Sequence, residues 1–412
     1  MQQSFGAFIV ALCASSLAAG APTTEQPKQV GRVSVPVAAR SDVQEPSGIL
    51  ALAKAYNKYN IPLYDDLAKA VENALSGLVQ RDTGSILTKP YPENVDEEYL
   101  TATELGTPSQ KLLLDFDTGS SDLWVLSADT PVDQRGDHAV YNPRNSTTAK
   151  QIDGGKWSIS YGDGSTADGI LYTDKVTIAG LTVEKQAIGS ATHASGSFSA
   201  DKNPNSGLLG LGFDKINTQK PKQKTWFTNV KDQLDAPLFT ANLNDRAAGT
   251  YNFGFIDKKE YNGTIAYSPA DGSRGYWGFK VDNYGVNTDK PDHNGFDAIA
   301  DTGTSLILVP TRVFLWYWLH VPSSYYDFRY GAQLYRCSEK LPDFSFAVGG
   351  QTLTIPGDEI NYQVASKDGK LCFGGIQRSD QITIFGDVAF KSNLVVFDVG
   401  GNRVGWAPKP KK

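Results

Sequence analysis

The sequence predicts an all-β, bilobal protein preceded by a helical N-terminal segment. Three observations carry that prediction. From about Tyr99 onward, short strand-like runs recur between Asp-Gly and Gly-Gly turn pairs. The 412 residues include 40 Gly and 11% aromatics but a single Met, a mix suited to strands joined by tight turns. Asp-Thr-Gly also occurs twice in matched apolar settings, at Leu112-Leu-Leu-Asp-Phe-Asp117-Thr-Gly-Ser120 and at Asp297-Ala-Ile-Ala-Asp301-Thr-Gly-Thr304. Such a repeat points to two similar lobes, each giving one acid to a shared site.

Taken in order, residues 1–20 read as a secretory signal. An apolar segment, Phe5 to Leu17, is followed by small residues around Gly20, although Met1-Gln-Gln-Ser4 carries no Lys or Arg. The segment is too short to span a membrane, and no other run reaches that length. Residues 21–85 read as a pro-segment with helical periodicity at Ile49 to Tyr59 and at Asp65 to Leu78. A small helical domain kept in the mature protein is the alternative. Gln80 to Pro92 is polar with two prolines and reads as a cleavable linker. Residues 86–268 are assigned to an N-terminal lobe and 269–412 to a C-terminal lobe. Strands are expected at Lys111 to Phe116, Trp157 to Tyr161, Ile170 to Ile178, Thr250 to Phe255, Thr264 to Tyr267 and Leu394 to Val399. Short helices are expected at Thr225 to Leu234 and Thr311 to Leu319. Gly207 to Phe213 and Ile384 to Val388 each carry bulky apolar residues ending in Gly, and should pack beside the acid-bearing loops.

Composition narrows the function. A net charge of −6 argues against nucleic acid or an anionic membrane as partner. Cys13 lies in the signal, which leaves Cys337 and Cys372 as one disulfide in an oxidising compartment or as two separate thiols. The four histidines fall in no His-Glu-x-x-His pattern, and there is no Gly-x-Ser-x-Gly. No metal or cofactor is expected. Asn145-Ser-Thr147 and Asn262-Gly-Thr264 match the N-glycosylation pattern.

An ionised acid inside an apolar run is costly unless it is paired or functional. Two carboxylates brought together can share a proton. At an effective dielectric near 20, charges ~4 Å apart repel by about 4 kcal/mol, enough to move one titration by roughly three pH units. One acid then ionises easily while its neighbour stays protonated. The first can draw a proton from water as the second donates to a carbonyl, which is acid–base chemistry for amide hydrolysis. Gly119 and Gly303 are expected to allow close backbone approach and turns closed to other residues. Thr118, Ser120, Thr302 and Thr304 are expected to donate hydroxyls to the acids. A single Asp-Thr-Gly would be an ordinary turn; the matched pair carries the reading.

The motifs Leu114 to Val125, Ile159 to Ser165, Ala300 to Ser305 and Ile384 to Val388 resemble the pepsin family of aspartic endopeptidases. Thr250 to Asp257 and Gly275 to Phe279 resemble its fungal secreted branch, the penicillopepsin, aspergillopepsin and endothiapepsin type. The likeness runs from about Tyr99 to Pro408. It implies a pepsin-like aspartic protease fold with a central cleft and a hairpin flap. It also implies Asp117 and Asp301 as the catalytic pair, and Tyr161 as the flap tyrosine beside Gly162 and Asp163, which would bind the peptide. An acidic flap residue such as Asp163 implies acceptance of Lys before the scissile bond. Read alone, Tyr161 is an aromatic in a hairpin. Lys58-Tyr59 resembles the Lys-Tyr that family pro-segments lay across the acids; read alone, Lys58 is a solvated helix charge.

A glycoside hydrolase would also explain paired carboxylates, but not the matched Thr-Gly repeats or a cleavable leader. A binding protein on the same scaffold would not need both acids intact. The resulting expectation is a secreted, monomeric zymogen of an acid endopeptidase, extracellular or alternatively vacuolar, acting on proteins and peptides. Trp124 and Ile299 are expected to line apolar subsites beside the acids.

Overall fold

The computed structural model describes residues 31–40, 47–81, 98–160, 166–195, 204–288 and 290–410. The N-terminal segment begins with a strand, β1 (Val33–Arg40), followed by helices α1 (Gly48–Lys58) and α2 (Asp65–Arg81). The helices form where periodicity places them. Ser47 caps α1 by accepting from the Leu50 amide, while Asp65 and Asp66 complement the first-turn dipole of α2. Leu52, Ala53 and Tyr56 of α1 and Leu67 and Val71 of α2 are buried in the main core of the body.

The strand β1 departs from the expected all-helical character of this segment. Val33-Ser-Val-Pro-Val37 alternates, and Val35 and Val37 face inward at 3% and 1% exposure. Pro36 lacks an amide proton and masks the run in a sequence reading.

Among the described residues the largest sheet has thirteen strands. From one edge it runs through Ala266–Pro269, Arg403–Pro408, Asn393–Asp398, Leu238–Asn244 and Ala247–Phe253 to β1. It continues through β2 (Glu98–Leu105), β3 (Gln110–Asp117), Gly207–Gly210, β4 (Leu123–Val125), Leu181–Ala194, Thr166–Ile178 and Lys150–Ser160. So β1 is antiparallel to Ala247–Phe253 on one side and to β2 on the other. Strands from both sides of the 268/269 boundary share this sheet. A seven-stranded sheet and a four-stranded sheet complete the second half.

The repeat becomes a repeated topology. In the first half, Gly207–Gly210 runs parallel to β3, with Asp117 opposite Gly210, and antiparallel to β4. In the second, Ile384–Phe385 runs parallel to His293–Ala300 and antiparallel to Ile307–Val309. Each acid therefore leaves the end of a buried strand and is held beside a second strand of its own half. Cys337 and Cys372 form a disulfide across the four-stranded sheet, with Cα atoms 5.0 Å apart. Closing a loop of sequence separation 35 contributes roughly 3–4 kcal/mol to the folded state. Among the described residues no helix is long and apolar enough to cross a membrane.

Candidate active site

Asp117 ends β3 and Asp301 follows Ala300, and both side chains are buried, at 2% and 0% exposure. The backbone fixes each loop from its own half. The Leu211 amide donates to the Asp117 carbonyl at 2.7 Å, and the Asp301 amide donates to the Phe385 carbonyl at 3.1 Å. The Gly119 amide donates to Asp117 Oδ1 at 2.7 Å and the Gly303 amide to Asp301 Oδ1 at 3.0 Å.

The two glycines are required by space. Neither has a positive φ, so the expectation of a turn closed to other residues is corrected. A Cβ built on Gly119 would overlap the Asp301 carboxylate and the Tyr59 hydroxyl. One on Gly303 would overlap the Asp117 carboxylate and the Lys58 ammonium. Each glycine thus faces the acid of the opposite half.

The hydroxyls also differ in part from expectation. Thr304 Oγ1 donates to Asp301 Oδ2. Thr118 and Thr302 brace the halves against each other instead. Each amide donates to the other's hydroxyl, at 3.1 and 3.0 Å. Thr118 Oγ1 donates to the Ala300 carbonyl at 3.0 Å, and Thr302 Oγ1 to the Phe116 carbonyl at 2.6 Å. The Ser120 hydroxyl is buried near enough to Asp117 to help lower its pKa but makes no well-formed hydrogen bond among the described residues. Tyr251, which sequence reasoning missed, donates its buried hydroxyl to the same Phe116 carbonyl at 3.1 Å. Nothing in its local pattern marks it apart from an inward strand position.

Lys58 closes the site. Its Nζ lies 2.8 Å from Asp117 Oδ1 and 2.9 Å from both oxygens of Asp301. The Tyr59 hydroxyl donates to Asp301 Oδ2 at 2.6 Å, and its ring packs edge-on to Tyr276 at 5.1 Å. Burial pushes the Lys58 ammonium towards neutrality, but the two carboxylates outweigh it and hold it charged. Burial raises Asp117 above the usual carboxylate range, with Lys58 opposing and Asp301 adding to the rise. Burial also pushes Asp301 up, yet Lys58 and the hydrogen bonds from Thr304 and Tyr59 overcome it, bringing it down to about 2. Asp301 has the richer set of donors, so it is the more acidic of the pair.

The other expected site residues are scattered. Trp124 is fully buried and stacks on Trp157 at 5.3 Å in a separate small core, so it presents no surface to a ligand. Ile299 is 6% exposed and precedes the acid in its strand. Tyr161, Gly162 and Asp163 lie outside the described residues. So do the signal segment and the linker beyond Arg81. Asn145 and Asn262 are both exposed.

Two acids braced by reciprocal Asp-Thr-Gly loops form a geometry suited to paired acid–base hydrolysis. A family profile for eukaryotic aspartyl proteases matches residues 98–409. The chain belongs to that family. The protease is 43% identical to endothiapepsin of Cryphonectria parasitica, over 94% of this chain and 96% of that one. It is 46% identical to penicillopepsin-1 of Penicillium janthinellum, over 77% of this chain and 97% of that one. A crystal structure of an aspartic proteinase from Irpex lacteus shares its fold, with a TM-score of 0.62 at 22% identity, over 76% of this chain and 94% of that one. The protease is therefore an aspartic endopeptidase whose substrates are proteins and peptides.

Proposed function

We propose that the chain is the zymogen of a secreted endopeptidase active at acid pH, with Asp117 and Asp301 as its dyad and residues 21–85 as its inhibitory leader. The observation that carries this reading is Lys58, whose single ammonium contacts both acids. With the leader gone, the dyad holds one proton and a water. The ionised acid takes a proton from that water as it attacks the scissile carbonyl, and the protonated acid donates to the carbonyl oxygen. The roles then reverse to protonate the departing amine.

The sign of the acid trigger follows from the linkage. Lys58 lowers both acids relative to a dyad with no cation beside it. A contact that depresses a carboxyl stabilises the closed form above the ordinary carboxylate range. That stabilisation is lost as pH falls through the depressed value. Asp117, held high, protonates first and leaves Lys58 with Asp301 alone; Asp301 follows at about 2. The leader's hold therefore weakens in steps as the medium turns from mildly to strongly acid.

Tyr59 resting on Tyr276 beside the acids supports a preference for bulky apolar residues at the cleaved bond. Acceptance of Lys through Asp163 remains part of the reading, as do glycans at Asn145 and Asn262 and a monomeric state. The test is cleavage of a denatured protein by the acidified protein with a chelator present, beside a polysaccharide control. Peptide products at acid pH in chelator are expected. Sugar release, or peptide cleavage that chelator abolishes, would contradict the reading.

A further inference from the structure

The leader makes a second polar anchor away from the acids. Tyr64, a few residues past Tyr59, sits in a pocket on the second half of the protease. Its ring lies beneath the Arg378 guanidinium at 5.5 Å, beside Tyr326 at 6.4 Å and edge-on to Tyr56 at 5.9 Å. Its hydroxyl donates to the Gly331 carbonyl. Of these partners only Tyr56 belongs to the leader. Arg378, Tyr326 and Gly331 stay with the protease when the leader goes.

We propose that this pocket becomes a distal recognition site for a tyrosine side chain of the protein substrate, several residues from the scissile bond. The inference rests on reading the leader as removable. The leader enters the pocket along a continuous chain that already occupies the dyad with Lys58 and Tyr59, so the pocket lies on a path a bound peptide can follow. Its chemistry selects tyrosine. The guanidinium attracts an aromatic face, the Tyr326 ring gives an apolar wall, and the Gly331 carbonyl accepts a phenol proton. Phenylalanine supplies only the ring and leucine neither. Phe328 packs edge-on behind Tyr326 at 5.1 Å and is 71% exposed, which extends the aromatic wall. Gly331 has φ +56°, and a Cβ there would crowd Asp66 and Leu67, so the loop is bare where a chain lies against it.

The test uses the acid-activated enzyme and peptides sharing one cleaved core. Tyr, Phe or Ala is placed in turn at each distal position on either side. At one position the order of kcat/KM is expected to be Tyr above Phe above Ala, with Tyr over Ala about 5- to 20-fold. Arg378→Ala and Tyr326→Ala should each collapse that ratio towards one. No preference at any position, or a ratio indifferent to both substitutions, overturns the inference. The N-terminus of the active enzyme separates the two readings. An active enzyme that still contains Tyr64 overturns the leader and the pocket together, whereas one starting beyond Arg81 without the preference overturns the pocket alone.

Discussion

Asp117→Asn or Asp301→Asn is expected to lower kcat/KM for peptide cleavage by about three orders of magnitude or more, or ~4 kcal/mol of transition-state stabilisation. In the proposed mechanism each acid serves in both proton-transfer steps, so neither can compensate for the other. Stability should fall for Asp301→Asn, whose charge Lys58, Thr304 and Tyr59 stabilise despite burial, and move little, in the favourable direction, for Asp117→Asn. The carboxyl is held above its usual range chiefly because burial disfavours its charge, and an amide removes that charge. A thermal melt of each variant beside its peptide assay checks both halves. A variant that melts like the parent and retains activity would remove that acid from the mechanism.

Lys58→Met carries the second large effect. It keeps the length and apolar stem of the side chain and deletes the ammonium between two buried acids. Removing one member of such a buried cluster costs about 3–5 kcal/mol when the remaining charges stay uncompensated. Here one acid can take up a proton, which relieves part of that cost. The closed form is thus expected to open at distinctly higher pH than the parent, and activity should appear without strong acidification. Measuring the pH at which half the sample has become active, parent against variant, gives the shift. An unchanged midpoint would mean that Lys58 is a bystander.

Much of this was legible in the sequence because strands and repeats leave local marks. Gln110–Asp117 and Asn393–Asp398 show the apolar runs of buried strands, and the two Asp-Thr-Gly units that sit in apolar runs announce their own equivalence. What stayed hidden depends on long-range pairing. Thr118 and Thr302 were expected to serve the acids, but their reciprocal bonds span a separation of 184 residues, and no local pattern encodes a partner that distant. Trp124 looked like cleft lining because it follows the acid closely in sequence. In the structure β4 turns it inward against Trp157, since neighbouring strand residues point to opposite faces. The strand β1 was missed because Pro36 interrupts a short run whose pairing depends on Ala247–Phe253, far along the chain. The Tyr64 pocket was equally invisible, being assembled from the N-terminal helices, the strand Tyr325–Asp327 with the turn at Gly331, and the strand Ile376–Arg378.

One time course tests the acid-triggered release of residues 21–85 most directly. The protein recovered at neutral pH is acidified, and chain mass and peptide cleavage are followed in the same sample. The prediction is an inactive leader-bearing chain at the start, beginning near residue 21. Loss of the leader between Arg81 and Glu98 should then rise in step with activity, with neither change in Asp117→Asn or Asp301→Asn. Full activity at neutral pH with the leader still attached and Lys58 in place would contradict it.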